Sequence, residues 1–343
     1  MAPRTADPDT ANPADALDAL DRRLVCALQV DGRAEPGRIA AALGVSARTV
    51  TRRLARLRET GVVKVVVQPR AVDDAVGALL LRIRVLQGRV AAVADALADR
   101  SDVPFVDVML GGQEVGAVLV SDQAGRDGLL YRQLPVTGAV TETTVYAVLH
   151  LFADAAQWHA GLLTPEETAA LTPHPTTPQP TTPPPTVPAP VAAKDDPLDR
   201  ALLAALTEDA RSSAAALATA VGAPESTVRR RLQRLAAAGQ LRTHVTVDPR
   251  LLGMAVDANL YLALPPGRLA AAGTALAAHP QVHGVVATSG PHNLMAAVFC
   301  PDHAALYRFT TEVLGPLGVD RMETVIVARA VKRAGARVVL PKP

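Results

Sequence analysis

The sequence predicts an α+β protein in which one plan is used twice: two winged helix-turn-helix units, each followed by a ferredoxin-like βαββαβ domain. Three observations predict it. The stretch "TVTRRLARLRETG" (49–61) returns as "TVRRRLQRLAAAG" (227–239), with eight of thirteen positions identical. Within each copy, apolar spacing changes from helical to a series of short β-rich runs interleaved with helices. Between the copies lies "PHPTTPQPTTPPPTVPAP" (173–190), with nine prolines in eighteen residues.

The repeat runs through almost the whole chain. "LDRRLVCALQVDGR" (20–33) lies over "LDRALLAALTEDAR" (198–211), and Gly44 and Gly61 fall on Gly222 and Gly239. Further on, "QPRAVDDAVGA" (68–78) matches "DPRLLGMAVDA" (248–258), and "GRVAAVADALADRSDV" (88–103) matches "GRLAAAGTALAAHPQV" (267–282) at an offset of 179. The expected domains are a disordered arm (1–16), helix-turn-helix domains at 17–70 and 197–249, and ferredoxin-like domains at 71–163 and 250–343. A Pro/Thr-rich linker is expected over 164–196. Proline has no N–H to donate, so the strap should be polyproline-like, reaching roughly 55 Å if extended.

In element order, Leu20, Leu24 and Leu28 have helical spacing, as do Leu198, Leu202 and Leu206. "PGRIAAAL" (36–43) is a second helix stopped by Gly44, a suitable left-handed C-cap residue. Ser46 is a good N-cap for a third helix running to about Thr60. In the second copy Pro224 and Glu225 stand there, read as a first-turn proline and an acid near the positive helix end. Strands follow at 62–67 and 241–247. Then come strand 78–85, helix 88–100, strands 105–110 and 115–120, a helix near 124–134, and strand 139–149. The second copy repeats this order with strand 258–264, helix 267–279, strands 284–289 and 294–299, helix 302–314 and strand 322–331. Each antiparallel sheet has helices on one face and leaves the other open to pair with a second sheet.

Composition narrows the function. No window approaches the roughly 18 unbroken apolar residues of a membrane span, and "MAPRTADPDTANPADALD" has no signal-peptide core. Cys26 and Cys300 are too few for a disulfide framework or zinc site and read as small buried hydrophobes. A reducing, cytoplasmic setting is the expectation. Net charge is only +2, yet residues 20–64 carry +6 and residues 198–242 carry +3, leaving −7 elsewhere. Basic charge gathered into two short segments suits a polyanion.

On the third helix Val50, Leu54 and Leu57 must face the core, as must Val228, Leu232 and Leu235 in the second copy. The opposite face then presents Arg48, Thr51, Arg52 and Arg56, against Ser226, Arg229, Arg230, Gln233 and Arg234. Such a helix fits the major groove of double-stranded DNA, where Arg reads guanine O6/N7 and other arginines hold phosphates.

The stretch "LDALDRRLVCALQVDGRAEPGRIAAALGVSARTVTRRLARLRETGVVK" resembles the N-terminal signature of the Lrp/AsnC family, the bacterial feast/famine transcriptional regulators. The resemblance covers 17–150 and 197–332. It implies a helix-turn-helix followed by a ferredoxin-like effector domain that dimerises and binds an amino acid or related metabolite. Carried over, Ser46, Arg48, Thr51, Arg52 and Arg56, with Glu225, Ser226, Arg229, Arg230 and Arg234, take recognition-helix positions. The family's Gly-x-x-Asp-type turn beside its ligand cleft corresponds to "GGQEV" (111–115) and "GPHNL" (290–294). Gly111, Gln113 and Glu114, and Gly290, His292 and Asn293, are therefore the candidate ligand contacts, with Glu114 and Asn293 standing where the family has Asp.

Single-copy members pair two helix-turn-helix units by dimerising; this chain should form that pseudo-dimer internally, with further homo-oligomers left open. The recognition helices differ at Arg48/Ser226, Thr51/Arg229 and Ala55/Gln233, so an imperfect palindrome is expected. Two other readings stay open: a ligand-independent architectural DNA binder, and an enzyme or metal protein built on the effector fold. For the latter, His279, His283, His292 and His303 cluster in the second copy, but Pro280 separates His279 from His283, and the first copy has Arg100, Pro104 and Gln113 there. No catalytic triad or phosphate loop stands out, and no cofactor is expected. RNA binding is disfavoured by an aromatic content of 3%.

Overall fold

The computed structural model describes residues 17–67, 78–155, 158–172, 196–238, 241 and 243–338. The disordered arm expected at 1–16 and the proline strap at 173–190 lie outside the described residues.

The first unit opens with α1 (Ala19–Val30), capped by Asp18, and α2 (Pro36–Leu43), which ends at Gly44 in the left-handed conformation (φ 67°). Then α3 (Ala47–Glu59) leads into β1 (Lys64–Val67). The second unit repeats this with α8 (Pro197–Glu208), α9 (Ala214–Val221), α10 (Glu225–Ala237) and β6 (Thr243–Thr246). One expectation shifts here: Pro224 is the N-cap residue of α10 and not part of its first turn, and it offers no side-chain cap.

The units are joined to each other. β1 and β6 pair antiparallel, with Val65 opposite Val245. Arg33 and Arg211 cross reciprocally: Arg33 donates to the Ala210 carbonyl, and Arg211 to the Gly32 and Ala34 carbonyls at 2.7 and 3.0 Å. One apolar core runs through both, including Leu24, Ile39, Val50 and Leu54 of the first copy with Leu202, Leu206, Val228 and Leu232 of the second.

The linker expected over 164–196 begins with α7 (Pro165–Leu171). Its start is a full capping box, with Thr164 and Glu167 each bonded to the other's backbone N–H. Leu171 is fully buried in the core shared by the helix-turn-helix units, and Glu167 pairs with Arg23 of α1.

The first ferredoxin-like domain comprises β2 (Leu79–Val85), α4 (Val90–Ala98), β3 (Phe105–Met109), β4 (Glu114–Leu119), α5 (Gln123–Asp127) and β5 (Val140–Ala153). A π-helical stretch, Gly128–Gln133, and a last turn, α6 (Leu134–Val136), extend α5. The second has β7 (Val256–Ala263), α11 (Pro266–Ala277), β8 (Val282–Thr288), β9 (Leu294–Cys300), α12 (His303–Arg308) and β10 (Arg321–Arg333), then a short β11 (Ala336–Arg337). Strand order is β3-β4-β2-β5 in one and β8-β9-β7-β10 in the other, the ferredoxin-like order twice.

The open faces do not simply stack. β5 pairs with β8 and β10 with β3, so eight strands close into one antiparallel barrel. Among the described residues, closure leaves no edge on either sheet apart from the short β11 added to β10. Both bridging strands run longer than the sequence spacing predicts, and the extra residues extend crossings that begin at Val148 and Val327: Leu151 and Ala153 of β5 pair with Val286 and Val285, and Lys332 of β10 with Val106. Alternate residues of β2 divide the barrel wall: Leu79, Leu81 and Ile83 pack outward under α4, while Leu80 packs inward with Tyr146 and Tyr261. Cys26 and Cys300 are buried thiols.

Candidate functional site

Ser46 caps α3 by accepting from the Thr49 N–H at 3.1 Å, which fixes where the recognition helix begins. Val50, Leu54 and Leu57 are buried, and Arg48, Thr51, Arg52 and Arg56 are exposed along the other face. In α10 Val228 and Leu235 are fully buried, Leu232 is 9% exposed, and Ser226, Arg229, Arg230 and Arg234 are exposed.

The exposed arginines are not equivalent. Arg53 and Arg56 both reach back to Asp21 of α1, a carboxylate with 2% side-chain exposure, and Arg53 also takes Asp18. That hydrogen bond from Arg53 holds the Asp18 carboxyl below its usual range. The second copy repeats the clamp: Arg231 contacts Asp199 at 2.9 Å and Asp196 at 2.5 Å, and Arg234 also pairs with Asp199. So Arg56 and Arg234, expected on the groove face, also anchor the recognition helix to the first helix of its unit. Thr51 bonds the Ala47 carbonyl within α3, and Arg229 pairs with Glu225 one turn back. Arg48, Arg52 and Arg230 make no ion pair or hydrogen bond among the described residues. They are the free guanidiniums, two on one helix and one on the other. The clamp was missed in the sequence, although an Asp at the same place in "LDRRL" and "LDRAL" signals it.

The two turns expected to meet a ligand lie between β3 and β4 and between β8 and β9. Gly111 and Gly290 have φ of 110° and 96°, a region that favours glycine. A Cβ on Gly290 would also sit 2.7 Å from the Tyr146 ring. Gln113 is exposed and His292 half-buried. Glu114 is held at 2.7 Å by Arg82 of β2, which also takes Glu323 of β10 at 2.7 Å and lies 4.6 Å over the Tyr261 ring. The Glu323 hydrogen bond, against burial, raises the Arg82 pKa, and the same bond lowers that of Glu323. Asn293 is engaged by backbone: its Oδ1 accepts from Leu264 N–H at 3.0 Å and its Nδ2 donates to Leu264 C=O at 2.8 Å. The structure thus brings both turns to the barrel but gives Glu114 and Asn293 internal partners.

Among the described residues no group of histidines, cysteines or carboxylates is placed to hold a metal ion, and no helix is long and apolar enough to cross a membrane. His283 stacks on Phe299 with ring centroids 3.8 Å apart.

The AsnC-type helix-turn-helix domain matches residues 17–58 and 196–236, and the Lrp/AsnC ligand binding domain matches 261–336. The chain is 31% identical over 145 residues to the uncharacterized HTH-type transcriptional regulator PH0140 of Pyrococcus horikoshii, across 42% of this chain and 92% of that protein. It is 33% identical over 129 residues to the HTH-type transcriptional regulator AldR of Mycolicibacterium smegmatis, across 36% of this chain and 75% of that one. Among solved structures, the siroheme decarboxylase NirDL superposes with a TM-score of 0.55 over 92% of this chain and 93% of that one. At 12% identity that likeness concerns the fold alone.

Proposed function

Since the chain belongs to the Lrp/AsnC family of DNA-binding transcriptional regulators, we propose that its two unequal recognition helices read the two arms of one imperfect palindrome. The observation that carries this reading is the uneven supply of free guanidiniums: Arg48 and Arg52 on α3, Arg230 alone on α10. Ser46, Thr51, Ser226 and Glu225 flank them at the helix starts, and Arg56, Arg229 and Arg234 reach the same face while paired. The arm read by α3 therefore has the stronger contacts. Arg52→Ala and Arg230→Ala should each weaken operator binding by about 1–3 kcal/mol if the side chain reads a base. Footprinting with mutated half-sites tests the inequality. A perfect palindrome with equal tolerance in both arms would overturn it.

The same reading has DNA affinity modulated by an amino acid or related small metabolite at the turns holding Gly111, Gln113, Glu114, Gly290, His292 and Asn293. The match of the second half to the family's ligand binding domain supports it. A second reading, ligand-independent architectural binding, is favoured by the internal partners of Glu114 and Asn293. Thermal unfolding across amino acids separates the two, since a ligand at 100 times its Kd adds ~2.7 kcal/mol. No shift with any of them favours the architectural reading.

A further inference from the structure

A cavity of about 170 Å³ lies at the junction of the winged units and the barrel. Its walls include Gln29 of α1, Trp158 after β5, Thr246 of β6, Asp257 of β7, His283 of β8 and Phe299 of β9. The space is well beyond the ~10–15 Å³ that a single water needs.

Three buried polar atoms on these walls have no hydrogen-bond partner: Thr246 Oγ1, Asp257 Oδ1 and His283 Nε2. Thr246 and His283 are 7% and 5% exposed. Asp257 gives its other oxygen to Arg333 at 2.6 Å, and His283 Nε2 stands 3.6 Å from Asp257 Oδ1, too far for a hydrogen bond. A buried polar atom left unpaired costs about 1–3 kcal/mol, so three around one cavity mark a place built for a partner.

The atoms also say what kind of partner. A carboxylate oxygen only accepts, and a threonine hydroxyl and a neutral imidazole nitrogen can accept. Burial holds the His283 pKa down despite Asp257, which keeps the ring neutral. Burial opposes the charge on Asp257, but the Arg333 guanidinium at 2.6 Å outweighs it and keeps the carboxyl ionised. Three atoms able to accept, carried on three strands that line one cavity, equal in number the three N–H donors of an ammonium. Trp158 packs edge-on to Phe299 at 4.8 Å, and aromatic walls attract a cation and take the apolar body attached to it. Arg333 is engaged by Asp107 and Asp257, whereas Arg329, also on the wall, has no ion pair among the described residues and can face a carboxylate on the same ligand.

We propose that this cavity binds one small organic ammonium per chain, with Asp257, Thr246 and His283 receiving its N–H groups and Phe299 and Trp158 its apolar body. The single copy follows from the repeat: by the alignment above, Gly77, Pro104 and Val120 stand where Asp257, His283 and Phe299 do. Since winged-unit and barrel residues share the walls, occupancy shifts DNA affinity; that consequence rests on the regulator reading above.

The test is calorimetric titration of the full chain, without DNA, using 2-phenylethylamine, L-phenylalanine and phenylacetate. The amine and the amino acid bind at one site per chain, and phenylacetate binds at least about tenfold more weakly, a difference of ~1.4 kcal/mol. Asp257→Asn weakens the amine by at least about tenfold. Because that variant also disturbs Arg333, Thr246→Val is the second: it leaves every ion pair in place and weakens the amine several-fold with an unchanged Tm. Absence of amine binding up to about 10 mM, equal binding of phenylacetate, or binding indifferent to both variants would overturn the proposal. A failed titration counts against the cavity alone, and a failed footprint against the DNA reading alone.

Discussion

At the scale of single residues, the chain divides its arginines between folding and reading. Arg53 and Arg231 face the buried carboxylates Asp21 and Asp199, so Arg53→Ala strips a partner from a carboxylate that water does not reach. It should lower stability by roughly 1–3 kcal/mol in thermal or urea unfolding, with Arg56 left to hold Asp21. Arg52→Ala should leave Tm unchanged and weaken DNA binding only. Helical spacing made the exposed face legible, because burial of a Val/Leu stripe fixes the opposite side. It did not tell which arginine turns back, since that depends on an acid 32 or 35 residues away. A second prediction concerns acid. His244, beside Arg333 and His283, is pushed down from 6.5 to about 4, mainly by burial. The unfolded chain therefore takes this proton first, and stability is lost as pH falls from about 6.5 towards 4. Asp107, raised by burial from 3.8 to about 7, works in the opposite direction. The difference between wild type and His244→Gln isolates the histidine: between pH 7 and pH 5 the wild type should lose about 1–2 kcal/mol more. Parallel stability curves would show that His244 does not carry it.

At the scale of elements, the segment after β5 does more than connect. Trp158 donates its indole N–H to the Pro280 carbonyl at 2.9 Å, and α7 then packs on the first winged unit. Leu171→Ala should cost about 2–4 kcal/mol, as deletion of a fully buried leucine does. Differential scanning calorimetry checks this, and a shift within error would mean that α7 is not part of the cooperative unit. The helix was legible in principle, since "TPEE" (164–167) is a capping-box signature. The prolines that follow outweighed it, because a biased composition suggests a strap from end to end. The ends of β5 and β10 were hidden for another reason. Their last residues pair with the opposite copy, and no periodicity within one copy reports a partner strand more than a hundred residues away.

At the scale of the whole molecule, the two copies form one closed object. A protease site placed within 173–195 and cut should leave the halves together on size exclusion, held by β5–β8, β10–β3, β1–β6 and the Arg33/Arg211 exchange. Separation of the halves would contradict that arrangement. The sequence by itself determined the duplication, the element order of each copy and the basic faces of α3 and α10, because repeats, periodicity and caps are local properties of the chain. Only the tertiary structure decided which charges stay free. It turned Arg56 and Arg234 back to buried acids, joined Glu114 to Arg82 across strands, tied Asn293 to the Leu264 backbone, and left Thr246, Asp257 and His283 around one cavity. These outcomes depend on which strands and helices meet once the barrel closes, and that proximity is a property of the packed whole.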